Sequence, residues 1–364
     1  MRIYLVGGYV RDLYLTRELG YPKGNGDRDW VVVGATPQQM LQMGFKQVGK
    51  DFPVFLHPKT HEEYALARTE RKVAPGYHGF VFNTSSEVSL EDDLKRRDLT
   101  INAMALDGET LIDPYGGLDD IRAKQLRHVS ESFKEDPVRI LRIARFNAKL
   151  PQFSIASDTL LMLKEMVDNG EADSLVAERV FLEMKKVLRE NKPSRFIEVL
   201  NACGLWSRFF HNFPVNRETL QLLDQARELN EAEKFALLTH DENRTDQLKA
   251  FLNTFKPNAE ITDTVYLWAK VKGEFQNTNP QHVLKLIETC DAVRRPERLE
   301  KMLHLAEVIF NVDTHPWKEA LNRISAIDCA KIAASCADKS FIGNAIRQAR
   351  LTAIEEISQN ALVH

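Results

Sequence analysis

The chain has 364 residues, of which 43% are hydrophobic and 28% are charged, and this length predicts two or three domains with ample apolar material for a core. The 49 basic and 52 acidic residues give a net charge of −3, which excludes a generally basic protein that coats nucleic acid but leaves room for local basic patches. No run approaches 18 apolar residues, so we expect no membrane-spanning helix. Four dispersed cysteines and an N-terminus that meets Arg11 and Asp12 too early for a signal peptide favour a cytoplasmic protein.

The first 130 residues alternate short β-branched runs with helical segments. Thr36 followed by Pro37 predicts a short helix that ends near Gly44, and Ser89 followed by Asp92 predicts a second capped helix. The segment 71–80 contains two glycines and a proline, and we expect it to be mobile. Apolar or alternating runs predict strands at 2–6, 30–33, 52–57, 62–68, 99–106, 110–114 and 125–129, the third and fourth forming a hairpin.

The pattern changes after Glu135, where apolar residues recur at helical spacing almost to the C-terminus and strand-like runs disappear. The sequence therefore predicts an α+β N-terminal region, with a mixed sheet and helices, followed by an all-α C-terminal region. The boundary is expected near 130–135, and no fixed-period repeat indicates a regular solenoid.

A glycine-rich turn, Gly7-Gly8, follows the first predicted strand and opens a helix. Such a turn lets a ligand approach the backbone, and the N–H groups at a helix start favour phosphate oxygens. Arg11 lies one turn further on and could add a charge-assisted contact. The spacing matches neither the dinucleotide-binding fingerprint nor the P-loop, and the alternative interpretation is an ordinary turn.

Two carboxylates, Asp27 and Asp29, precede the strand 30–33. Residues two apart in extended backbone point to the same face, so the two side chains should converge. Carboxylate pairs suit Mg²⁺, which takes few protein ligands besides phosphate oxygens, and two-metal phosphoryl transfer uses such pairs. The alternative is a solvated turn. The order of a glycine turn, a helix and an acidic pair favours the metal site.

Arginines recur at two further places. Arg97 follows the helix that Ser89 begins, beside Arg96 and Asp98, and could neutralise a triphosphate. Asp136 and Pro137 open the first strong helix, and Arg139, Arg142 and Arg145 follow at intervals of three. This spacing aligns the three guanidinium groups on one helix face, and no acid occurs among residues 139–146, which predicts an anionic ligand.

Two other charged motifs favour ordinary structural roles. Glu178-Arg179 lies in a later helix and is interpreted as a common ion-pairing motif. His240-Asp241 matches part of a metal-dependent hydrolase signature, which needs further ligands. His211 is the only other histidine between His128 and His240, so we predict a histidine at a helix C-terminus followed by a loop.

Taken in order, these motifs resemble those of the bacterial class II tRNA nucleotidyltransferases, the CCA-adding enzymes. The resemblance covers residues 1–150 closely, weakens at AERVFLEM (177–184) and is vague beyond about 210. It rests on the segments LVGGYVRD (5–12), DRDWVVVG (27–34), LEDDLKRRDLTINAMA (90–105), DPYGGLDDI (113–121) and EDPVRILRIARF (135–146). It implies a nucleotidyltransferase head at 1–134, a helical neck and body at 135–210, and a helical body and tail for tRNA at 211–364. The connection from Asp12 to Asp27 is longer than is usual in the family.

The resemblance also assigns roles to individual residues. It implies that Gly8 and Arg11 contact the incoming triphosphate, that Asp27 and Asp29 are catalytic and hold Mg²⁺, and that Arg97, Arg142 and Arg145 bind nucleotide. Asp136 and Arg139, three residues apart on what is expected to be one helix face, are expected to read the base together. The implied reaction is attack by the tRNA 3′-OH on the α-phosphate of CTP or ATP, with release of pyrophosphate. No membrane and no obligate protein partner are implied.

Three alternatives stay open from the sequence. One is a specialised CC-adding or A-adding enzyme, which the same motifs also fit. Another is bacterial poly(A) polymerase, although that branch usually has a basic Gly-Arg-Arg-Phe type run after the acidic pair, which this chain replaces with residues 52–72. The third, from another class, is a catalytically inert RNA-binding protein, which the intact Asp27 and Asp29 pair disfavours.

Overall fold

Two structural units, Met1–Asn212 and Phe213–His364, make up the chain in the computed structural model. The structure describes residues 1–24, 26–48, 54–72, 80–83, 85–210 and 213–361. Most of the segment 71–80, for which mobility is predicted, lies outside the described residues. The first unit contains every strand among the described residues, and the second is helical.

A seven-stranded mixed sheet forms the centre of the first unit, in the order β3-β4-β5-β2-β1-β8-β9. Strand β1 is antiparallel to both β2 and β8, whereas β2 is parallel to β5. The strands are β1 Arg2–Val6, β2 Asp29–Val33, β3 Lys46–Gln47, β4 Val54–Leu56, β5 Glu63–Leu66, β6 Thr69–Lys72, β7 Phe80–Asn83, β8 Ala105–Asp107, β9 Thr110–Ile112, β10 Gln125–Leu126 and β11 Ser154–Ile155. The antiparallel pair β4–β5 is the predicted hairpin.

Alternate residues along the central strands form separate cores on the two faces of the sheet. Tyr4, Val6 and Val31 pack in one buried cluster. Val32 and Phe55 belong to the other. Both faces are therefore covered, which explains why β1 and β2 contain continuous apolar runs instead of alternating polar and apolar residues.

The helices of the first unit begin with caps that the sequence predicts in two cases. The side chains of Thr36 and Ser89 each accept a hydrogen bond from the backbone three residues later, completing capping boxes with Gln39 and Asp92. The helices are α1 Gly8–Leu19, α2 Pro37–Gln42, α3 Leu90–Lys95, α4 Gly117–Ala123, α5 Val138–Lys149, α6 Ser157–Asp168, α7 Ala177–Val187, α8 Ser194–Ala202 and α9 Leu205–Phe209, with short 3₁₀ turns at Thr100–Asn102, Glu131–Glu135 and Glu171–Ser174.

The prediction of a strand at 99–106 is partly wrong. Residues Thr100–Asn102 form a 3₁₀ turn, and the strand begins only at Ala105. The Thr100 hydroxyl donates to Asp120 and the Asn102 amide donates to Asp98, so local polar bonds compete with strand pairing. The strand predicted at 125–129 likewise shortens to two residues, with an isolated bridge at His128.

The second unit is a set of helices packed around large aromatic side chains. Trp268, Trp317, Phe235 and Phe255 are almost completely buried there. The helices are α10 Arg217–Gln225, α11 Glu231–Leu238, α12 Thr245–Phe255, α13 Ala259–Val271, α14 Pro280–Thr289, α15 Pro296–Phe310, α16 His315–Ser325, α17 Cys329–Ser335 and α18 Ile342–Ala361, with 3₁₀ turns at Lys272–Gln276 and Lys339–Phe341. Within the described ranges, no helix has the length and apolar character needed to span a bilayer. The predicted fold class is confirmed.

A close backbone approach at Gly117 gives a stability prediction. A Cβ atom at this position would overlap the carbonyl oxygen of Thr100 and lie 2.8 Å from Cγ of Met104. We expect Gly117→Ala to lower the free energy of unfolding by about 1–3 kcal/mol, because the backbone of Thr100 has to move. Chemical denaturation measures the change. Gly273→Ala, where a Cβ meets nothing within 4 Å, is the matched control and should stay close to wild type.

Candidate active site

The turn after β1 brings backbone, an arginine and a carboxylate close together. Gly7 has φ of 73°, and a Cβ there would lie 3.3 Å from Nη1 of Arg97 and 3.6 Å from Oδ2 of Asp29. Glycine is therefore required both by the left-handed backbone and by the space available. Gly8 begins α1, so the first N–H groups of this helix lie beside the two charged side chains.

The predicted acidic pair lies at the start of β2. Asp29 is the first residue of the strand, Asp27 precedes it, and both residues are exposed at the surface. Partial burial raises the pKa of Asp29, the nearby charges of Glu63 and Asp27 raise it further, and Arg97 opposes them. A carboxylate whose charged form is disfavoured in this way is a site that a cation would stabilise.

Glu63 is a candidate site residue that the sequence analysis missed. It is the first residue of β5 and lies opposite Asp29 in the parallel register of β2 and β5. The sequence predicts the strand that contains Glu63, but it does not predict which strand lies beside β2. A local sequence pattern does not contain the information on which distant strands pair with each other.

The donor chemistry at this edge fits a hard divalent cation. Asp27 and Asp29 offer carboxylate oxygens, and Mg²⁺ commonly takes one or two carboxylates and completes its shell with water and substrate phosphates. Across the described part of the chain, no group of three or more histidine, cysteine, aspartate or glutamate side chains is arranged to hold a metal. The structure therefore offers a sparse ligand set, not an all-protein cage.

A cavity of about 720 Å³ adjoins this edge, and its lining is strongly basic. Seven arginines and one lysine line it, against four carboxylates. The lining includes Gly8, Arg11, Asp29, Arg97 and Arg142, which come from separate motifs of the sequence. An excess of guanidinium groups beside a carboxylate edge suits a polyanion that binds together with a cation.

A chain of hydrogen bonds links two of the predicted arginines through buried polar groups. Nη1 of Arg11 donates to Oδ1 of Asn102 at 2.7 Å, and the Asn102 amide donates to Oδ1 of Asp98 at 3.0 Å. Arg142 completes the chain with Nε 2.8 Å and Nη2 2.7 Å from Oδ2 of Asp98. Burial alone would raise the pKa of Asp98, but Arg142, Asn102 and the Leu99 amide outweigh it and lower the pKa to about 2.

Arg97 and Arg96 share a second buried carboxylate. Asp93 is completely buried, and its two oxygens lie 2.7 Å from Arg96 and 3.2 Å from Arg97. Burial raises the pKa of Asp93, and the two arginines reverse that effect, so that it lies below its ordinary value. Asp93 thus fixes Arg97 beside the glycine turn.

The expectation that the arginines of α5 lack acidic neighbours is wrong. Arg142 pairs with Asp98, and Nε of Arg145 lies 2.7 Å from Glu183. The acids come from segments about 40 residues away in sequence, which helical spacing cannot show. Arg145, predicted to bind nucleotide, contacts Glu183, and Glu183 lines the cavity. Arg139 donates to the carbonyl oxygens of Ser132 at 2.9 Å and Arg96 at 2.7 Å.

The expected same-face pairing of Asp136 and Arg139 is also wrong. Asp136 has extended backbone, with φ of −120° and ψ of 106°, and α5 begins only after Pro137. Spacing of three residues places side chains together only inside a helix, so it does not apply here. The Asp136 carboxylate instead accepts from Nη1 and Nη2 of Arg179 at 3.3 and 3.2 Å. Arg179, interpreted from sequence as an ordinary ion-pairing residue, lines the cavity.

In the second unit, the predicted histidine follows the end of α11. Nε2 of His240 lies 3.1 Å from the Thr219 hydroxyl, and Asp241 accepts from Thr219 and Asn216, each at 2.6 Å. The ammonium group of Lys272 donates to the carbonyl oxygens of His240 and Glu242. Burial lowers the pKa of His240. These contacts join His240 and Asp241 to neighbouring polar groups of the fold.

The buried Asp98 carboxylate predicts a specific dependence of stability on pH. Since its pKa is lowered to about 2 in the folded state, its contribution is present above the unfolded pKa of about 4 and is lost as pH falls toward 2. We expect the difference in unfolding free energy between wild type and Asp98→Asn to shrink by about 1 kcal/mol from pH 5 to pH 3, and by about 2 kcal/mol by pH 2.

Urea denaturation at each pH measures this difference. Asp119→Asn is the matched control, because the Asp119 side chain is 87% exposed, and its difference from wild type should not change over the same range. A constant difference for Asp98→Asn would show that the Asp98–Arg142 pair does not couple folding to pH.

Comparisons with known proteins identify two family models that match parts of the chain. The sequence model described as "Poly A polymerase head domain" matches residues 3–127. A second model, "Probable RNA and SrmB- binding site of polymerase A", matches residues 152–227. The first match contains the glycine turn, the acidic pair and Arg97. It ends at residue 127, one residue after strand β10.

Relatives and solved structures extend the similarity over the whole chain. The chain is 46% identical to the CCA-adding enzyme of Bordetella pertussis, across 97% of this chain and 96% of that protein. It is 42% identical to the "Multifunctional CCA protein" of Aromatoleum aromaticum, across 98% of each; that alignment spans 405 positions, so the relative contains segments that these 364 residues lack. The structure of the Thermotoga maritima CCA-adding enzyme complexed with tRNA has a similar fold, with a TM-score of 0.68 at 19% identity, over 99% of this chain and 91% of that chain. The resemblance found in the sequence is thereby confirmed: the chain belongs to the family of CCA-adding enzymes.

Proposed function

We propose that this chain adds and repairs the 3′-terminal CCA of tRNA, using CTP and ATP without a nucleic-acid template and releasing pyrophosphate. The observation that carries the proposal is the basic cavity beside the Asp29 edge of the sheet. Family membership supports it, because relatives 42–46% identical over nearly the full chain are named for CCA addition. The cytoplasm, where tRNA is matured, is the expected location.

The triphosphate is bound by positive charge from three elements. Arg11 of α1, Arg97 after α3 and Arg142 of α5 all line the cavity, and the N-terminus of α1 at Gly8 adds backbone donors. Asp98 and Asn102 hold Arg11 and Arg142 in place, so these guanidinium groups lose little freedom when phosphate binds. In this proposal Arg145 acts indirectly, by fixing the side chain of Glu183.

Enzymes of this family generally use a divalent metal ion, and we propose that Asp27 and Asp29 hold Mg²⁺. When bound, the ion activates the attacking oxygen and stabilises the leaving one. Glu63 is placed to add negative charge to the same edge. In the reaction, the tRNA 3′ oxygen forms a bond to the α-phosphorus and the bond from that phosphorus to the bridging oxygen breaks, which releases pyrophosphate.

Base selection is assigned to Asp136 and Arg139, which belong to the lining of the same cavity. Cytosine and adenine both present an exocyclic amino group beside a ring-nitrogen acceptor, whereas uracil and guanine present a carbonyl beside an N–H. A carboxylate can only accept and a guanidinium can only donate. Asp136 and Arg139 both line the cavity, so together they suit C and A and leave U and G with unpaired groups.

Two narrower activities compete with full CCA addition. A CC-adding or A-adding enzyme would use the same cavity, and a poly(A) polymerase would share the head domain that the family model describes. Incubation with CTP and ATP of tRNAs that lack the last one, two or three nucleotides separates these activities. We expect the chain to restore CCA on all three and to stop there. Addition of only C, of only A, or of a long A tail would replace the proposal with the corresponding alternative.

A hydrolase activity at His240-Asp241 is not part of the proposed function. The two side chains bond to Thr219 and Asn216, and the relative named as multifunctional contains segments that this chain lacks. We expect no hydrolysis of 2′,3′-cyclic phosphates when divalent transition metals are added. Hydrolysis that disappears in His240→Ala would contradict this expectation.

The acidic pair predicts a separation of catalysis from tRNA binding. We expect Asp27→Asn and Asp29→Asn to reduce CMP and AMP addition by roughly 100-fold or more, because the chemical step loses a ligand of the ion. The affinity for tRNA should change little, since it comes from phosphate contacts spread over the protein. Single-turnover addition and filter binding measure the two quantities, with Asp119→Asn as an exposed control. Near-normal addition by either variant in Mg²⁺ would remove that residue from the metal site.

A further inference from the structure

The Asp136 carboxylate is held by three N–H donors. Its Oδ1 accepts from the backbone N–H of Val138 at 3.0 Å and from Nη1 of Arg179 at 3.3 Å. Its Oδ2 accepts from Nη2 of Arg179 at 3.2 Å. The side chain is 24% exposed and lines the cavity. The contacts thus fix the carboxylate on one side and leave another side toward the cavity.

The number of unfilled acceptor positions on the Asp136 carboxylate limits which group of a base can bind to it. An ionised carboxylate has about four lone-pair positions, two on each oxygen. The three donors fill both positions on Oδ1 and one on Oδ2, so one position on Oδ2 is left. A single acceptor position matches one N–H of the exocyclic amino group of cytosine or adenine. It repels the carbonyl oxygen that uracil or guanine presents at the same place.

We propose that Arg179 is a positioning residue that determines base specificity: its two-pronged contact fixes Asp136 so that one acceptor position, on Oδ2, is left for the incoming base. This inference rests on the proposed function, and it assigns a role in nucleotide choice to a residue of α7 that lies 43 positions from Asp136 in sequence. Arg139 is engaged elsewhere, since two of its N–H groups donate to the carbonyl oxygens of Ser132 and Arg96.

The fork geometry of arginine is what this role requires. Two parallel N–H groups fix both the direction and the plane of a carboxylate, whereas a lysine ammonium is a point charge that fixes neither. Arg179 also neutralises Asp136 inside a cavity that has to accept a triphosphate. Loss of Arg179 therefore has two separable effects: a freer carboxylate, which weakens base discrimination, and an uncompensated negative charge, which weakens nucleotide binding.

The test compares four nucleotides with a set of variants. Wild type, Arg179→Ala, Arg179→Lys and Arg179→Gln are given CTP, ATP, UTP and GTP with tRNA that lacks CCA, and kcat and KM are measured for each. We expect the preference of Arg179→Ala for CTP over UTP to fall roughly 10-fold or more. Arg179→Lys should recover the KM for CTP but not the preference, and Arg179→Gln should recover neither in full.

The matched control is Arg208→Ala. Arg208 makes the same kind of two-pronged contact, with Asp173 at 2.7 and 2.6 Å, and it does not line the cavity. We expect this variant to keep the wild-type preference even if its unfolding midpoint falls. A lower midpoint in the Arg179 variants with the same loss for all four nucleotides would show that the Asp136–Arg179 pair is only structural.

The outcomes also separate this inference from the function on which it rests. Wild-type protein that incorporates none of the four nucleotides would overturn both. Wild-type protein that selects C and A, combined with Arg179 variants that select them equally well, would overturn the inference alone. If Arg179→Ala does not fold, the comparison of Arg179→Lys with Arg179→Gln decides, because both retain a hydrogen-bond donor and differ in charge.

Discussion

The buried carboxylate of Asp98 is the contact on which the site depends. It follows α3 in the sheet region and pairs with Arg142 of α5, and Arg142 and Asn102 satisfy both of its oxygens. A buried carboxylate without such partners would be strongly destabilising, and removal of Arg142 would leave its charge unpaired. Through Asn102 the same carboxylate also sets the position of Arg11. One ionised group therefore fixes the positions of arginines from two helices that are distant in sequence.

Local features of the fold follow from local sequence. The first strand, the caps of Thr36 and Ser89 and the change to helices after Glu135 depend on residues within a few positions of each other, and all are present in the structure. The strand predicted at 125–129, which shortens to two residues, is one exception, and the turn at Thr100–Asn102 is another. Its apolar run predicts a strand, but side-chain hydrogen bonds to Asp98 and Asp120 redirect the backbone.

The site is only partly predictable from sequence, because its partners come from distant segments. The sequence predicts candidate arginines and carboxylates, of which Arg11, Asp29, Arg97 and Arg142 line one cavity. It does not predict that Glu63 lies beside Asp29, since that depends on the register of parallel strands. Nor does it predict that Asp136 binds Arg179, since Pro137 keeps Asp136 outside the helix whose periodicity suggested another partner.

The position of Lys272 has a consequence for protein engineering. Its ammonium group donates to the carbonyl oxygens on either side of Asp241, so a fixed positive charge already occupies the neighbourhood of this carboxylate. A transition metal designed to bind beside Asp241 would be repelled by the charge of Lys272 and would also have too few ligands. A designer would therefore have to replace Lys272 before adding histidines, and would have to supply new donors for the two carbonyl groups that it now satisfies.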